Sequence, residues 1–178
     1  MDHDIKPGYD RVTDIVGYLS GIYKIPGYVL AKAAARGSFV HNVCDAIIDD
    51  LTYPEVPEEY QGYIDSFMSW FNLIEGCEFL KPDRFYCDEL MITGECDLIL
   101  SRPGRNTLID FKTSVDESKS WVIQGSAYCY LARKAGIEID AIVFVKLNKN
   151  GMEPECFTYE EDFDLFRKCL QVYRHFEQ

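Results

Sequence analysis

Two aspartates and a lysine stand near the ends of two short apolar–polar stretches in TGECDLILSRPGRNTLIDFK, residues 93–112. The stretches flank Pro103-Gly104, a strong turn dipeptide, and so predict a β-hairpin. In a hairpin symmetric about that dipeptide, Asp97 faces Asp110 and Glu95 faces Lys112. Side chains alternate along a strand, which predicts Thr93, Glu95, Asp97, Leu108, Asp110 and Lys112 on one side. The other side then carries Ile92, Cys96, Leu98, Leu100, Ile109 and Phe111, an apolar face that requires a core. Directly opposed like charges destabilise a sheet. Three carboxylates around the single ammonium of Lys112 need a further cation. A divalent metal fits that need, because Mg²⁺ prefers carboxylate oxygens and water.

Gly94-Glu95-Cys96-Asp97, then Asp110-Phe111-Lys112, then Gln124 and Tyr128 together resemble the PD-(D/E)xK nucleases. Within them the chain resembles the RecB-like exonuclease branch of phage, mobile-element or repair type. There GxxD lies on one strand, (D/E)xK on the next and QxxxY on the following helix. The match in order and spacing spans Glu89 to Leu131. The resemblance implies an α/β (α+β) fold with a restriction-endonuclease-like core, a central mixed sheet flanked by helices, here with an N-terminal helical part. It also implies a metal-dependent DNA exonuclease, in which Asp97, Asp110 and the Phe111 carbonyl hold Mg²⁺ or Mn²⁺. Lys112 would orient the nucleophile and neutralise charge, and Gln124 and Tyr128 would approach the DNA backbone or the attacking water. Without the resemblance, the same two residues read as a surface glutamine and a core tyrosine. Arg36-Gly37-Ser38-Phe39-Val40-His41 is similar to the RGxxxH-like stretch upstream in these nucleases, which implies His41 as a further metal ligand. By itself His41 reads as a packed or exposed helix histidine. A neutral imidazole suits Mn²⁺ better than Mg²⁺. Glu89 precedes the hairpin as an acidic residue often does in that branch, or is a solvated edge charge. Glu95 is a partner for Lys112 or merely exposed. Two rivals remain: a structure-specific endonuclease on the same core, and a non-catalytic descendant that binds nucleic acid or protein.

The 178 residues suit one domain, 1–178, with a single sizeable core. No apolar run reaches the ~20 residues of a membrane span, and MDHDIKPGYD lacks a signal pattern, so the expectation is a cytoplasmic protein. Seven cysteines without a CxxC pair argue against a disulfide framework or a zinc site. Cys156 and Cys169 stand too far apart for the closely spaced trio of cluster-bearing RecB-like nucleases, so no iron–sulphur cluster is expected. The net charge of −12 fits DNA binding worst, because phosphate contacts require local positive charge. Lys24, Lys32, Arg36, Arg102, Arg105, Arg133 and Lys134 could supply a local patch. Otherwise a homo-oligomer or a partner protein would supply the grip on DNA.

The elements around the hairpin follow from periodicity and breakers. Residues 1–10 read as loose, a short helix capped by Thr13 or Asp14 reaches Leu19, and Ser20–Gly27 is a turn-rich connection. Tyr28 to about Leu51 is helical with an interruption near Arg36-Gly37-Ser38, burying Val40, Val43, Cys44, Ile47, Ile48 and Leu51. Glu58–Glu75 is an amphipathic helix lined by Tyr60, Tyr63, Ile64, Phe67, Met68, Phe71 and Ile74, closed by Gly76. Glu78–Tyr86 is a strand interrupted at Pro82-Asp83. Lys119–Ala135 is the helix carrying Gln124 and Tyr128, which share a face. Ile139–Leu147 and Glu155–Tyr159 form a hairpin around Asn148–Gly151. Asp162–Phe176 closes the chain as a helix burying Phe163, Phe166, Leu170 and Tyr173.

Overall fold

The computed structural model describes residues 5–20 and 24–177. Part of the expected Ser20–Gly27 connection, and the first four residues, lie outside the described residues. The larger sheet has five strands: β2 (Glu78–Leu80), β5 (Leu98–Arg102), β6 (Arg105–Lys112), β7 (Ala141–Lys146) and β8 (Glu155–Tyr159), in that order across the sheet. Only β6 and β7 run parallel. A smaller sheet pairs β1 (Asp10–Arg11) with β4 (Ile92–Gly94), and β4 with β3 (Phe85–Cys87). The helices are α1 (Val12–Leu19), α2 (Gly27–Ile48), α3 (Glu58–Leu73), α4 (Ser120–Lys134) and α5 (Phe163–Glu177). This mixed sheet between helices is the restriction-endonuclease-like architecture.

Both faces of the larger sheet are core. Ile99, Leu108, Ile142 and Phe144 pack with residues of α1, α4 and α5. Leu98, Leu100, Ile109, Phe111 and Val145 pack with α2 and α3, where Phe67 and Trp70 stand edge-on to Phe111 at 5.1 and 5.2 Å. Burial of side chains of this size stabilises a fold by about 1.5–3 kcal/mol each.

The hairpin register is the expected one, from Leu98↔Ile109 to Arg102↔Arg105, with Gly104 taking φ 73° at its tip. Its first arm is shorter than expected. β4 ends at Gly94 and joins the smaller sheet, and residues 95–97 turn before β5 begins. Alternation therefore does not carry across the break: Ile92 and Cys96 fall in the same core as Leu108, opposite Leu98 and Leu100. The expectation of one core face and one carboxylate-bearing face is corrected accordingly. The carboxylates cluster at the hairpin's open end, between two covered faces.

Several other expectations also change. α2 runs unbroken through Gly37, and Leu51 beyond it is exposed. An interior glycine costs a helix about 1 kcal/mol, which the packing of its second half outweighs. Neither Thr13 nor Asp14 caps α1, since both lie inside it after Arg11. The chain end expected to be loose is tied down from Asp10, whose carboxylate meets Arg174 at 2.7 Å while the guanidinium also donates to the Leu90 carbonyl at 2.6 Å. Residues 78–87 split into β2 and β3, which belong to different sheets. Met68 is partly exposed, and Trp70 takes the buried place.

α3 docks against the β7–β8 turn through Gly62. A Cβ on Gly62 would stand 2.0 Å from the Lys149 carbonyl oxygen, and Ser66 Oγ accepts from the Asn148 amide at 2.9 Å. Gly62→Ala should therefore destabilise the fold by about 1–3 kcal/mol, the usual cost of overpacking against backbone. A urea midpoint equal to that of the parent would contradict this contact.

Candidate active site

The site forms where β5 stops short and β6 continues. Asp97 precedes the first residue of β5, so the edge of β6 beyond Ile109 has no partner strand there. Asp97 fills that place with its side chain: Oδ2 accepts from the Phe111 amide at 2.5 Å, and Oδ1 lies 2.9 Å from His41 Nδ1. The N–H and C=O of one strand residue share an edge, so the Phe111 carbonyl faces the same gap. Asp110 and Lys112 follow along β6, with Lys112 Nζ 2.6 Å from Asp110 Oδ2. That ammonium also donates to Gln124 Oε1 at 3.1 Å, and it is the one partner of the buried Asp110 Oδ2 among the described residues. Gln124 Nε2 in turn donates to the Tyr128 hydroxyl at 2.8 Å.

α4 is set close enough to make these bonds by two glycines. A Cβ on Gly94 would stand 2.6 Å from the Tyr128 ring, and one on Gly125 2.5 Å from Ile142 Cγ2. α2 approaches from the opposite core. His41 sits between Val40 and Val43, which anchor the helix on the sheet, and Arg36 Nε reaches Thr113 Oγ1 at 3.4 Å.

Charge is shared unequally among these groups. Burial disfavours the charged form of His41, but the adjacent Asp97 carboxylate outweighs it and raises the imidazole pKa to about 9. Burial likewise opposes ionisation of Asp97, yet His41, the Phe111 amide and Lys112 hold its pKa below the ordinary carboxylate value. Asp110 has fewer compensations: burial, then repulsion from Asp97, raises it to about 6 despite Lys112. Of the two, Asp97 remains ionised and Asp110 is the first to take up a proton, as the pH falls through about 6.

A divalent cation suits this donor set. Asp110 Oδ2 is a buried carboxylate oxygen with the Lys112 ammonium as its one partner among the described residues, fewer than a buried carboxylate can accept. Two carboxylates and a carbonyl are hard oxygen donors, and Mg²⁺ commonly uses one or two carboxylates and completes its shell with water and substrate phosphate. Among the described residues no three His, Cys, Asp or Glu side chains are grouped so that they could hold a metal ion between them. His41 with one nitrogen on Asp97 has the arrangement of an imidazole oriented by a carboxylate.

Asp97, Asp110, Phe111, Lys112, Gln124 and His41 thus come together. Tyr128 is buried and reaches them through Gln124. Glu95 does not face Lys112. The turn at 95–97 swings it outward to Arg84 at 2.5 Å. Glu89 is a surface charge paired with Lys134 at 2.8 Å. Thr113, buried beside Arg36, was not singled out from sequence, since its role depends on where α2 crosses the sheet.

The fold is α/β, with Asp97 just before β5 and Asp110 and Lys112 on the adjoining β6. No described protein family and no curated protein matches this sequence. Solved structures do match in fold. An alkaline exonuclease from Laribacter hongkongensis superposes with TM-score 0.52 at 9% identity, over 94% of this chain and 87% of that one. A protein of Eubacterium rectale described as a candidate exonuclease superposes with TM-score 0.55 at 14% identity, over 93% of this chain and 77% of that one.

The pKa directions give a signed prediction for the metal-free protein. A carboxyl raised from 3.8 to about 6 on folding contributes stability below 3.8 that is lost as the pH climbs through about 6. Asp110→Asn does not lose it. In EDTA at pH 7.5 this variant should be more stable than the parent by about 1–3 kcal/mol, with the advantage gone below pH 4. Thermal denaturation across that range checks it, and a destabilised variant at pH 7.5 would contradict it.

Proposed function

We propose that the protein is a divalent-metal-dependent nuclease of PD-(D/E)xK type that hydrolyses phosphodiester bonds in DNA, acting as an exonuclease of the RecB-like branch. The observation that carries the reading is the connected set Asp110–Lys112–Gln124–Tyr128, tied by hydrogen bonds and an ion pair, with Asp97 held beside it by the Phe111 amide. It combines the residues of three separate sequence motifs at one sheet edge. The fold shared with two proteins described as exonucleases supports it.

In this reading Asp97, Asp110 and the Phe111 carbonyl would hold Mg²⁺ or Mn²⁺, with His41 completing the set only after giving up the proton that Asp97 holds on it in the metal-free protein. When bound, the ion lowers the pKa of a coordinated water and offsets charge building on the phosphate. Asp97, kept ionised by His41 and the Phe111 amide, supplies permanent negative charge for the ion. Below about pH 6 Asp110 would have to give up a proton to hold the ion. The Lys112 ammonium, 2.6 Å from Asp110, would steady the attacking water and the phosphate electrostatically. Gln124 fixes the Lys112 ammonium, and Tyr128 fixes Gln124.

The charge distribution offers a path for the strand. In a chain of net charge −12 the thirty positions from Ile15 to Cys44 contain no Asp or Glu, while they hold Lys24, Lys32, Arg36 and His41. α2 thus leads to the site as a carboxylate-free surface, although Lys32 stands 3.7 Å from Glu59 of α3.

With Mn²⁺ or Mg²⁺ the protein should degrade linear DNA and leave closed circles intact, and EDTA should stop it. Asp97→Ala, Asp110→Ala and Lys112→Ala should each lower the rate by about 100-fold or more. Cleavage of circles would make it an endonuclease, and undiminished cleavage by the variants would remove the site assignment. Metal should also raise the melting temperature, with apparent affinity falling as pH drops through about 6, because the ion and the proton compete for Asp110. Metal affinity that does not change between pH 5 and 8 would contradict that competition.

A further inference from the structure

Beyond the carboxyl ends of β6 and β7 lies a cavity of about 160 Å³, lined by Tyr63, Ser114, Lys146, Asn148, Lys149 and Asn150 among others. Ligands of open α/β sheets bind in the crevice outside the carboxyl ends of parallel strands, and β6–β7 is the parallel pair of this sheet. Lys146 is the register partner of Lys112, and the Leu147 amide donates to the Lys112 carbonyl at 2.8 Å. Adjacent strands are about 4.8 Å apart. The cavity therefore begins one strand spacing from the lysine of the candidate active site.

We infer that this cavity is a subsite for a phosphate of the nucleic-acid strand, next to the one held for cleavage. The inference rests on the nuclease reading and extends it to a second group of residues. Its charge is mixed, and the balance decides the ligand. Lys146 donates to the Val115 carbonyl at 3.2 Å and pairs with Glu155 at 2.8 Å, so Glu155 offsets one of the two ammonium groups. Lys149, exposed at the β7–β8 turn, has no carboxylate partner among the described residues. Neutral polar residues complete the lining: Ser114, whose hydroxyl donates to the Asp116 carbonyl at 3.0 Å, with Asn148 and Asn150. One uncompensated ammonium among neutral polar residues suits a single phosphate.

The turn that carries Lys149 is held rigidly. Asn148 Oδ1 accepts from the Asn150 amide at 2.9 Å, Gly151 takes φ 76°, and α3 meets the turn at Gly62. On the other wall, Arg36 stands 5.6 Å from the Tyr63 ring and bonds Thr113. Tyr63 of the lining thus connects the cavity to Arg36 of α2.

Two variants with opposite expected signs test the subsite in the full chain, by steady-state cleavage of short linear oligonucleotides in Mn²⁺. Lys149→Ala should raise KM about 3- to 10-fold, more than it lowers kcat. It should also reduce the slope of log affinity against log salt by about one, the signature of one lost phosphate contact. Glu155→Gln, which frees Lys146, should lower KM and steepen the salt dependence, which a merely structural role would not do. Substrates ending in 5′-phosphate, 5′-hydroxyl or 3′-phosphate identify the occupant. An effect confined to one phosphorylated end marks a terminal phosphate, and an effect on all marks an internal phosphodiester. If the parent cleaves but neither variant moves KM or the salt slope, the subsite is overturned and the nuclease reading stands. If the parent neither binds nor cleaves DNA, both fall together.

Discussion

Two carboxylates brought together at the open end of one hairpin set the terms for the rest of this structure. The Pro103-Gly104 turn and its register bring Asp97, just before β5, next to Asp110 on β6. A sheet does not favour that arrangement, and the surrounding chain is arranged to compensate it. His41 arrives from α2 and Lys112 from β6, one cation for each acid. The compensation remains incomplete at Asp110 Oδ2, which is buried with the Lys112 ammonium as its one partner among the described residues. An added cation would complete it.

The layers on either side exist in the form that keeps these groups in place. α2 is pinned through Val40, Val43, Cys44 and Ile48, so that His41 projects at the sheet's end. α4 is pinned by Trp121, which stacks on Phe144 at 5.4 Å, and by the close approaches at Gly94 and Gly125. From there a chain of contacts runs from backbone to chemistry: Gly94 admits the Tyr128 ring, Tyr128 holds Gln124, and Gln124 holds Lys112. The glycine, the tyrosine and the lysine of three motifs form one mechanical unit. The rate of the proposed reaction should depend on α4 as much as on the hairpin.

The hairpin, its register and the helix with Gln124 and Tyr128 were legible because each rests on local information: a turn dipeptide, alternation and helical spacing. The break at residues 95–97 was not. Alternation gives no sign of where a strand leaves one sheet for another, so Glu95 was expected at Lys112 and is found at Arg84. Gly37 read as a helix break because propensity is local, whereas the anchoring of α2 by its second half depends on partners far away in sequence. The alignment of Lys146 with Lys112 comes from parallel pairing across a helix, which no short-range pattern encodes. The convergence of His41 with Asp97 was expected from the family resemblance, since the two are 56 positions apart.

Acidity and nucleic-acid chemistry are reconciled by location. The excess negative charge lies outside the segment from Ile15 to Cys44, and part of it is the proposed metal site itself. The account therefore depends on a cation occupying the gap between Asp97, Asp110 and the Phe111 carbonyl. Anomalous diffraction from crystals grown with Mn²⁺ tests that directly. The account predicts a peak within coordination distance of both carboxylates, lost in Asp110→Asn. Manganese bound only elsewhere, or none at millimolar concentration, would contradict it.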